Sequence, residues 1–216
     1  MKTTDCSFDS EAECYDSDSE TIVTIIEKTE SHIKNFNIIN SINKTLSKII
    51  EANKNLPNYT DILKKQSKTC FTSKSVPDLS LFDYLIRIQK YSLIEKNTLI
   101  LSLIYIDRLL KIGNIILTDY NIHRIIFAAI LIAIKFNEDE FFDNDYYAKI
   151  AGIKTSELII IEYNFICMCE FNMYVDEEIF EKYNKYLSDN IYNNSDSESE
   201  HILFLEKKEW FFENIL

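Results

Sequence analysis

The stretch that decides the fold reads IIFAAILIAIKF at residues 125–136. Apolar side chains occupy almost every position until Lys135, so a helix drawn through this stretch is apolar around most of its circumference. Such a helix belongs at the centre of a helical bundle rather than on its outside. YIDRLL at 105–110 and LTDYNIHR at 117–124 precede it, and YYAKIAGI at 146–153 and a helix carrying Glu162 follow it. We therefore expect a bundle built around a helix at about 119–136.

The composition favours an all-α protein. Among 216 residues there are only two glycines and two prolines, too few for the turns of hairpins and sandwiches. Hydrophobic residues make up 46% of the chain, which is typical of a globular protein, and the length favours one main domain. The prediction is an all-α fold with a single five-helix box and flanking N- and C-terminal helices.

The charge and the apolar runs exclude several classes of partner. Lys and Arg number 23 against 35 Asp and Glu, a net charge of −12, and an acidic chain without a basic stripe is a poor nucleic-acid binder. The run 125–134 is much shorter than the ~20 apolar residues that span a bilayer. The N-terminus lacks the apolar core of a signal peptide. We expect no nucleic acid and no membrane as partners, and a cytoplasmic or nuclear location.

The chain divides by composition into five parts. The predicted parts are an acidic flexible tail at 1–20, an N-terminal helical segment at 21–55, a linker at 56–76, a box at 77–175, and C-terminal helices with an acidic serine-rich loop at 176–216. Within the last two parts, helices are expected at about 79–91, 96–112, 119–136, 143–151, 156–170, 176–187 and 200–215. Asp78 or Ser80 is the expected cap of the first of these, Thr118 of the third, and Gly152 ends the fourth.

No pattern in the chain indicates an enzyme. Two glycines cannot form a phosphate-binding loop, and neither His-Glu-x-x-His nor Gly-x-Ser-x-Gly occurs. His123, near the start of the central helix, is expected to pack or to form a hydrogen bond rather than to act in catalysis. We predict no catalytic residues, no metal, no cofactor and no small-molecule substrate.

Two charged residues lie among helices that are otherwise expected to be buried: Lys135 and Glu162. Ionised groups persist at such places when a partner pairs with them. From the residues alone, the favoured interpretation of Lys135 is a helix-end lysine that complements the helix dipole, and Glu162 can equally be a solvent-facing carboxylate.

The order of these motifs resembles the P/U-type cyclins, the phosphate-system cyclins of fungi and their relatives in plants and protists. The chain contains, in the order of that family, YIDR, LT, NIHR, KF followed by acids, and YYAK before a glycine. The resemblance covers roughly residues 38–187. It implies a cyclin box and a non-catalytic subunit that activates a cyclin-dependent Ser/Thr protein kinase by packing on its αC helix.

The resemblance also implies the kinase-binding residues. Lys135 and Glu162 would bond main-chain groups of the kinase, and between them would lie an apolar pocket for a kinase side chain, formed by Ile132, Phe136, Ile166, Phe171 and Met173. Arg87 and Asp107 are expected to form an ion pair inside the box, although Asp107 could instead pair with Arg108 or Arg124. The motif with which mitotic cyclins begin their first box helix, and which helps dock substrates, is absent here.

Two points stay open from the sequence. A box of this kind could serve as a helical adapter or scaffold for a partner that is not a kinase. The last predicted helix, with Trp210, Phe211 and Phe212, could pack across the box or add contacts to the kinase.

Overall fold

A computed structural model describes the backbone from Ser17 to Tyr192 and the side chains from Asn35 to Asp189, in both cases without Leu93 and Asn114. Over these residues the protein is all-helical, as predicted. Its eight helices are α1 (Ser17–Lys54), α2 (Tyr59–Gln66), α3 (Leu81–Ser92), α4 (Lys96–Ile112), α5 (Ile122–Asn137), α6 (Asn144–Ala151), α7 (Thr155–Met168) and α8 (Glu177–Tyr192). None of the helices between Ser17 and Tyr192 is both long enough and apolar enough to cross a membrane.

Helix α5 lies at the centre of the bundle. Every side chain from Ile125 to Ile134 is at most 3% exposed, and α3, α4, α6 and α7 all contact this helix. Its alanines, among them Ala129 and Ala133, are completely buried, and small side chains allow neighbouring helices to approach closely. The prediction of a central apolar helix is confirmed.

Helix α1 contributes one wall of the core from Asn35 onward. Ile39, Ile42 and Leu46 follow helical spacing and are completely buried. The helix begins at Ser17, so the last four residues of the predicted tail at 1–20 are helical, and residues 1–16 lie outside the described part of the chain.

The segment predicted as a linker, 56–76, contains a short helix and a core residue. Helix α2 occupies Tyr59–Gln66, and Phe71 is 1% exposed in the core. The hydroxyls of Thr69 and Thr72 donate to the Gln66 carbonyl oxygen at 2.9 and 2.8 Å and fold the chain back after α2. Eight residues with few apolar positions show no clear periodicity, so the sequence did not predict α2.

The helix caps agree with two of the three predicted positions. Ser80 caps α3, because its Oγ accepts the Asp83 N–H at 3.1 Å. Gly152 ends α6 with φ of 73°, and the N–H of Ile153 donates to the Ala148 carbonyl oxygen, which closes the last turn.

The prediction of Thr118 as the cap of α5 was wrong. Helix α5 begins at Ile122, three residues later than expected, with Asn121 preceding it. The Asn121 amide accepts the Thr118 N–H and donates to the Ile116 carbonyl oxygen, both at 2.8 Å. Residues 118–121 therefore form a turn because these side-chain bonds compete with the first helical bonds.

Helix α8 runs five residues further than the predicted 176–187. Its C-terminal half packs beside α1, where the Ser41 hydroxyl donates to the Leu187 carbonyl oxygen at 3.3 Å. The predicted serine-rich loop and the predicted helix at 200–215 lie outside the described residues.

His123 joins the start of α5 to the segment before α3. Its Nε2 donates to the Leu79 carbonyl oxygen at 2.9 Å, and its ring lies 5.0 Å from that of Tyr84. Burial lowers the pKa of His123 below its ordinary value, and its buried Nδ1 has no hydrogen-bond partner in the described structure. The predicted packing and hydrogen-bonding role is confirmed.

We expect Gly152→Ala to lower the free energy of unfolding by about 1 to 2 kcal/mol, because a Cβ disfavours the left-handed conformation. An added Cβ meets no other atom within 4 Å, so the loss comes from the backbone alone. Urea unfolding measures it. Gly152→Asn is the matched control and should lose less, since asparagine tolerates this conformation; an equal loss in both variants would contradict the explanation.

We also expect His123 to destabilise the fold at low pH. A histidine whose pKa is lowered by folding binds fewer protons in the folded state, so stability falls as pH drops through the ordinary histidine pKa of about 6.5. The free energy of unfolding of wild type minus that of His123→Gln should therefore decrease as pH is lowered through that range. A difference independent of pH would show that His123 does not titrate on unfolding.

Candidate protein-binding site

The C-terminal end of α5 brings together Lys135 and Glu162. The Nζ of Lys135 lies 2.6 Å from Oε1 of Glu162, near the middle of α7, and donates to Oδ1 of Asn144 at 2.8 Å. The two ionised side chains are 23% and 14% exposed, so they lie at the surface but are partly desolvated. The structure thus places the two predicted charges in direct contact with each other, on three converging helices.

An exposed apolar face continues from this pair along α7. Ile159 is 50% and Tyr163 is 64% exposed, and the spacing of α7 places them on the same side as Glu162 and Ile166. Three residues on the opposite side of α7 are fully buried: Leu158, Ile161 and Phe165. Exposed apolar side chains grouped around a partly buried ion pair are typical of a protein interaction surface.

Sequence reasoning missed Ile159 and Tyr163. The available signal was the run LIII at 158–161, which supplies more apolar residues than one buried face of α7 can use. A helix that is apolar on two sides and still carries Glu162 needs a second apolar neighbour, and the described residues supply none for this side.

The five residues predicted to form one pocket lie in different environments. Ile132 and Met173 are buried in the core, Ile166 is half-buried, and Phe136 and Phe171 are 62% and 69% exposed. Phe136 and Met173 line a common groove of about 500 Å³, whereas Ile132, Ile166 and Phe171 are not among its lining residues. The prediction of a single pocket formed by all five side chains therefore needs correction.

Phe171 is exposed because of an unusual turn after α7. Both Glu170 and Phe171 have positive φ, 53° and 58°, a conformation that costs a non-glycine residue about 1 kcal/mol or more. Helix α4 fixes the residues that follow. Arg108 donates to the Asn172 carbonyl oxygen at 2.6 Å, and the Tyr105 hydroxyl donates to the Met173 carbonyl oxygen at 2.9 Å. These hydrogen bonds hold the strained turn in place.

The predicted ion pair between Arg87 and Asp107 was wrong, because each residue has other partners. Arg87 donates to the Lys149 carbonyl oxygen at 3.0 Å and so connects α3 to α6. Asp107 is bonded by Lys111 and by the Tyr183 hydroxyl, the latter at 2.9 Å. Asp107 is almost fully buried on the side of α4 that faces α8. Arg87, on α3, does not lie on that side.

The two alternative partners of Asp107 are engaged elsewhere as well. Arg108 bonds the turn after α7, and Arg124 pairs with Glu157 at 2.5 Å while donating to the Cys70 carbonyl oxygen at 3.0 Å. Asp107 instead connects α4 to α8, which sequence spacing could not reveal.

The loop after α5 adds negative charge beside the site. Asp139 and Glu140 are exposed, and no ion pair joins either of them to a cation of the described residues. Burial raises the pKa of Glu138, whose carboxylate accepts the Thr98 hydroxyl at 2.8 Å. The site therefore offers a basic group, acidic groups and apolar side chains within a short segment of surface.

Comparison with known proteins shows the family of this chain. The family model described as Cyclin matches residues 22–173. The chain is 34% identical over 138 residues to Cyclin-P3-1 of Oryza sativa subsp. japonica, which covers 64% of this chain and 58% of that protein. It is 35% identical over 114 residues to Cyclin-U3-1 of Arabidopsis thaliana, covering 53% of this chain and 52% of the relative.

A fungal protein is similar over a longer stretch. The chain is 30% identical over 202 residues to PHO85 cyclin-7 of Saccharomyces cerevisiae, covering 82% of this chain and 70% of that protein. The chain thus spans somewhat more than half the length of the two plant relatives and more than two thirds of the yeast protein. This chain belongs to the cyclin family, and its similarity is to the P/U-type cyclins.

Proposed function

We propose that this protein binds a cyclin-dependent Ser/Thr protein kinase and activates it as a non-catalytic subunit, by packing on the αC helix of the kinase. Membership of the cyclin family supports the kinase as partner. The observation that carries the site is the contact between Lys135 and Glu162 beside the exposed apolar side chains of α7.

The proposed mechanism is a population shift in the kinase. A protein kinase is active when the glutamate of its αC helix reaches the strand lysine that contacts the ATP phosphates. A rigid helical surface that binds the inward position of αC more tightly than the outward one favours the active state by that difference in affinity. The buried core behind α5 and α7 provides such rigidity, because close-packed interiors do not deform easily.

The ion pair would give the interface its orientation. In the free chain, Lys135 and Glu162 satisfy each other, and the Lys135 ammonium also bonds Asn144. An ammonium has three donor hydrogens and a carboxylate accepts several bonds, so both groups can add bonds to main-chain groups of a kinase helix. Such bonds depend on geometry and would fix the register of the two proteins.

The apolar side chains would supply most of the affinity. Three apolar side chains around the pair are each at least half exposed: Ile159, Tyr163 and Phe136. Burying apolar area contributes about 25 cal/mol per Å², from which the entropy and desolvation costs of association are subtracted. An ion pair by itself contributes little, since its desolvation offsets the attraction. The residues expected to dominate are therefore the three apolar ones.

We expect Lys135→Ala to weaken kinase binding by at least roughly 10-fold, since a charge-assisted bond contributes about 1.5 to 3 kcal/mol and one or two are lost. Titration calorimetry with a panel of cyclin-dependent kinases, together with phosphorylation of a peptide substrate, measures binding and activation.

Lys182→Ala is the matched control, because Lys182 also pairs with a glutamate, Glu178, at 2.7 Å, but on α8. Unchanged kinase affinity in Lys135→Ala would contradict the proposed interface. A chain that binds no kinase but captures another protein through the same residues would favour the adapter function instead.

We expect Ile159→Asp to weaken kinase binding by at least about 30-fold, which corresponds to a central interface residue of 2 kcal/mol. Ile112→Asp is its control, since Ile112 is similarly exposed but lies at the end of α4. Thermal unfolding of both variants checks that the fold is intact. Equal kinase affinity of the two variants would place the interface elsewhere.

A further inference from the structure

Two consecutive left-handed residues, Glu170 and Phe171, form the turn that follows α7, and we call it the Phe171 turn. Their φ angles are 53° and 58°. A side chain disfavours this conformation by roughly 5- to 30-fold per residue, whereas glycine adopts it freely and asparagine tolerates it. Neither residue is a glycine or an asparagine, and Asn172 comes only after the turn. The turn therefore persists because other groups hold it.

Arg108 on α4 provides a charged contact to the chain just beyond this turn. Its Nη1 donates to the Asn172 carbonyl oxygen at 2.6 Å and lies 3.5 Å from Oδ1 of the same residue. Hydrogen bonds from a charged donor are stronger than those between neutral groups. No carboxylate of the described residues pairs with Arg108, although Asp107 is its neighbour in the sequence. The guanidinium thus binds the backbone after the turn rather than an acid.

The Phe171 turn connects two parts of the proposed kinase-binding surface. The Phe171 N–H donates to the Ile166 carbonyl oxygen at 3.0 Å, and Ile166 lies on the side of α7 that carries Glu162. The Phe171 carbonyl oxygen accepts the Met173 N–H at 3.0 Å, and Met173 lines the groove that also contains Phe136. The Phe171 ring is 69% exposed, so it is available to a partner that covers this surface.

We propose that Arg108 is a positioning residue of the kinase-binding surface, which holds the Phe171 turn and thereby presents the Phe171 ring to the kinase. This inference rests on the proposed function. Arg108 acts through the backbone at Asn172 and does not itself need to touch the kinase. A ring that is fixed in its bound position before the partner arrives loses less entropy on association, so it contributes more affinity than a mobile ring.

Tyr105 supports the same segment from inside the core. Its hydroxyl donates to the Met173 carbonyl oxygen at 2.9 Å, and the residue is 2% exposed. Replacing Tyr105 would therefore disturb the packing of the core as well as the turn. Arg108 is only half-buried, so it is the residue at which the turn can be released with the smaller effect on the core.

Kinase affinity tests the positioning role, with the tightest-binding member of a panel of cyclin-dependent kinases as the probe. Arg108→Ala should weaken binding about 10-fold, part of the roughly 30-fold that a central aromatic residue contributes. Arg108→Lys should weaken it less, because lysine keeps a charged donor for the Asn172 carbonyl oxygen. Arg87→Ala is the matched control and should bind like the wild type, since Arg87 also donates to a main-chain carbonyl oxygen but joins α3 to α6. Equal affinities of Arg108→Ala and the wild type overturn the proposal.

A double substitution separates positioning from a general structural effect. Phe171→Ala should weaken kinase binding by roughly 30-fold. If Arg108 acts through the Phe171 ring, Arg108→Ala causes no further loss in a chain that already carries Phe171→Ala. A merely structural role of Arg108 gives the same loss with and without the ring. Additive losses therefore overturn the positioning role, and unchanged affinity of Phe171→Ala overturns the presentation of the ring.

Hydrogen exchange of the free protein tests the turn without any kinase. The Phe171 amide, which is bonded to Ile166, should exchange several-fold faster in Arg108→Ala than in the wild type. The amide of Ile130, in the buried helix α5, should keep its rate. Equal exchange of the Phe171 amide in both chains overturns the link between Arg108 and the turn. Faster exchange at both amides shows a general loss of stability and overturns the link as well.

Glycine at position 170 provides a rescue. Because glycine adopts the left-handed conformation freely, Glu170→Gly in the Arg108→Ala chain should slow the exchange of the Phe171 amide and recover part of the kinase affinity. Recovery of neither overturns strain as the reason why the turn needs Arg108. If no kinase of the panel binds the wild-type chain, the proposed function fails, while the exchange rates still decide whether Arg108 holds the turn.

Discussion

The burial of α5 on every side is the constraint on which the rest of the structure depends. A helix without a polar face needs apolar neighbours all around it, and α3, α4, α6 and α7 provide them. Only the ends of α5 reach the surface. Lys135 and Phe136 lie at its C-terminal end, so the position of the candidate site follows from where the central helix leaves the core.

The polar residues of α4 form hydrogen bonds with the chain after α7 and with α8. Buried or half-buried carbonyl groups near the end of α7 need hydrogen-bond donors, and Tyr105 and Arg108 supply them to Met173 and Asn172. Asp107 accepts from Tyr183 on α8. The YIDR segment, recognisable in the sequence as part of a family pattern, thus acts in this fold as the anchor that joins α4 to the chain after α7. The strained turn at Glu170 and Phe171 persists because this anchor fixes the residues beyond it.

The candidate site combines a satisfied ion pair with unsatisfied apolar surface. Lys135, Glu162 and Asn144 form a bonded group without any partner, so the free chain is not destabilised by unpaired charge. Ile159 and Tyr163 on α7, in contrast, remain at least half exposed. The charges can therefore define orientation, while the apolar side chains provide the driving force for association. The groove lined by Phe136 and Met173 extends this surface toward α8.

The sequence by itself determined the helical class, the central position of α5, the cap at Gly152 and the family, and it narrowed the cap of α3 to Asp78 or Ser80. These properties depend on local periodicity, on residue type and on motif order, all of which are read along the chain. It also indicated Lys135 and Glu162 as residues of one site, but through family resemblance rather than through spacing.

Only the tertiary structure decided which side chains meet across the bundle. It gave Arg87 and Asp107 separate partners and turned residues 118–121 away from the helix. It also divided the five expected pocket residues between the core, the groove, the side of α7 and the turn after it. A hydrogen bond or an ion pair between distant residues depends on helix rotation and crossing, which differ by small angles that periodicity does not encode. For the same reason, the exposed face of α7 became visible only when its neighbours were in place.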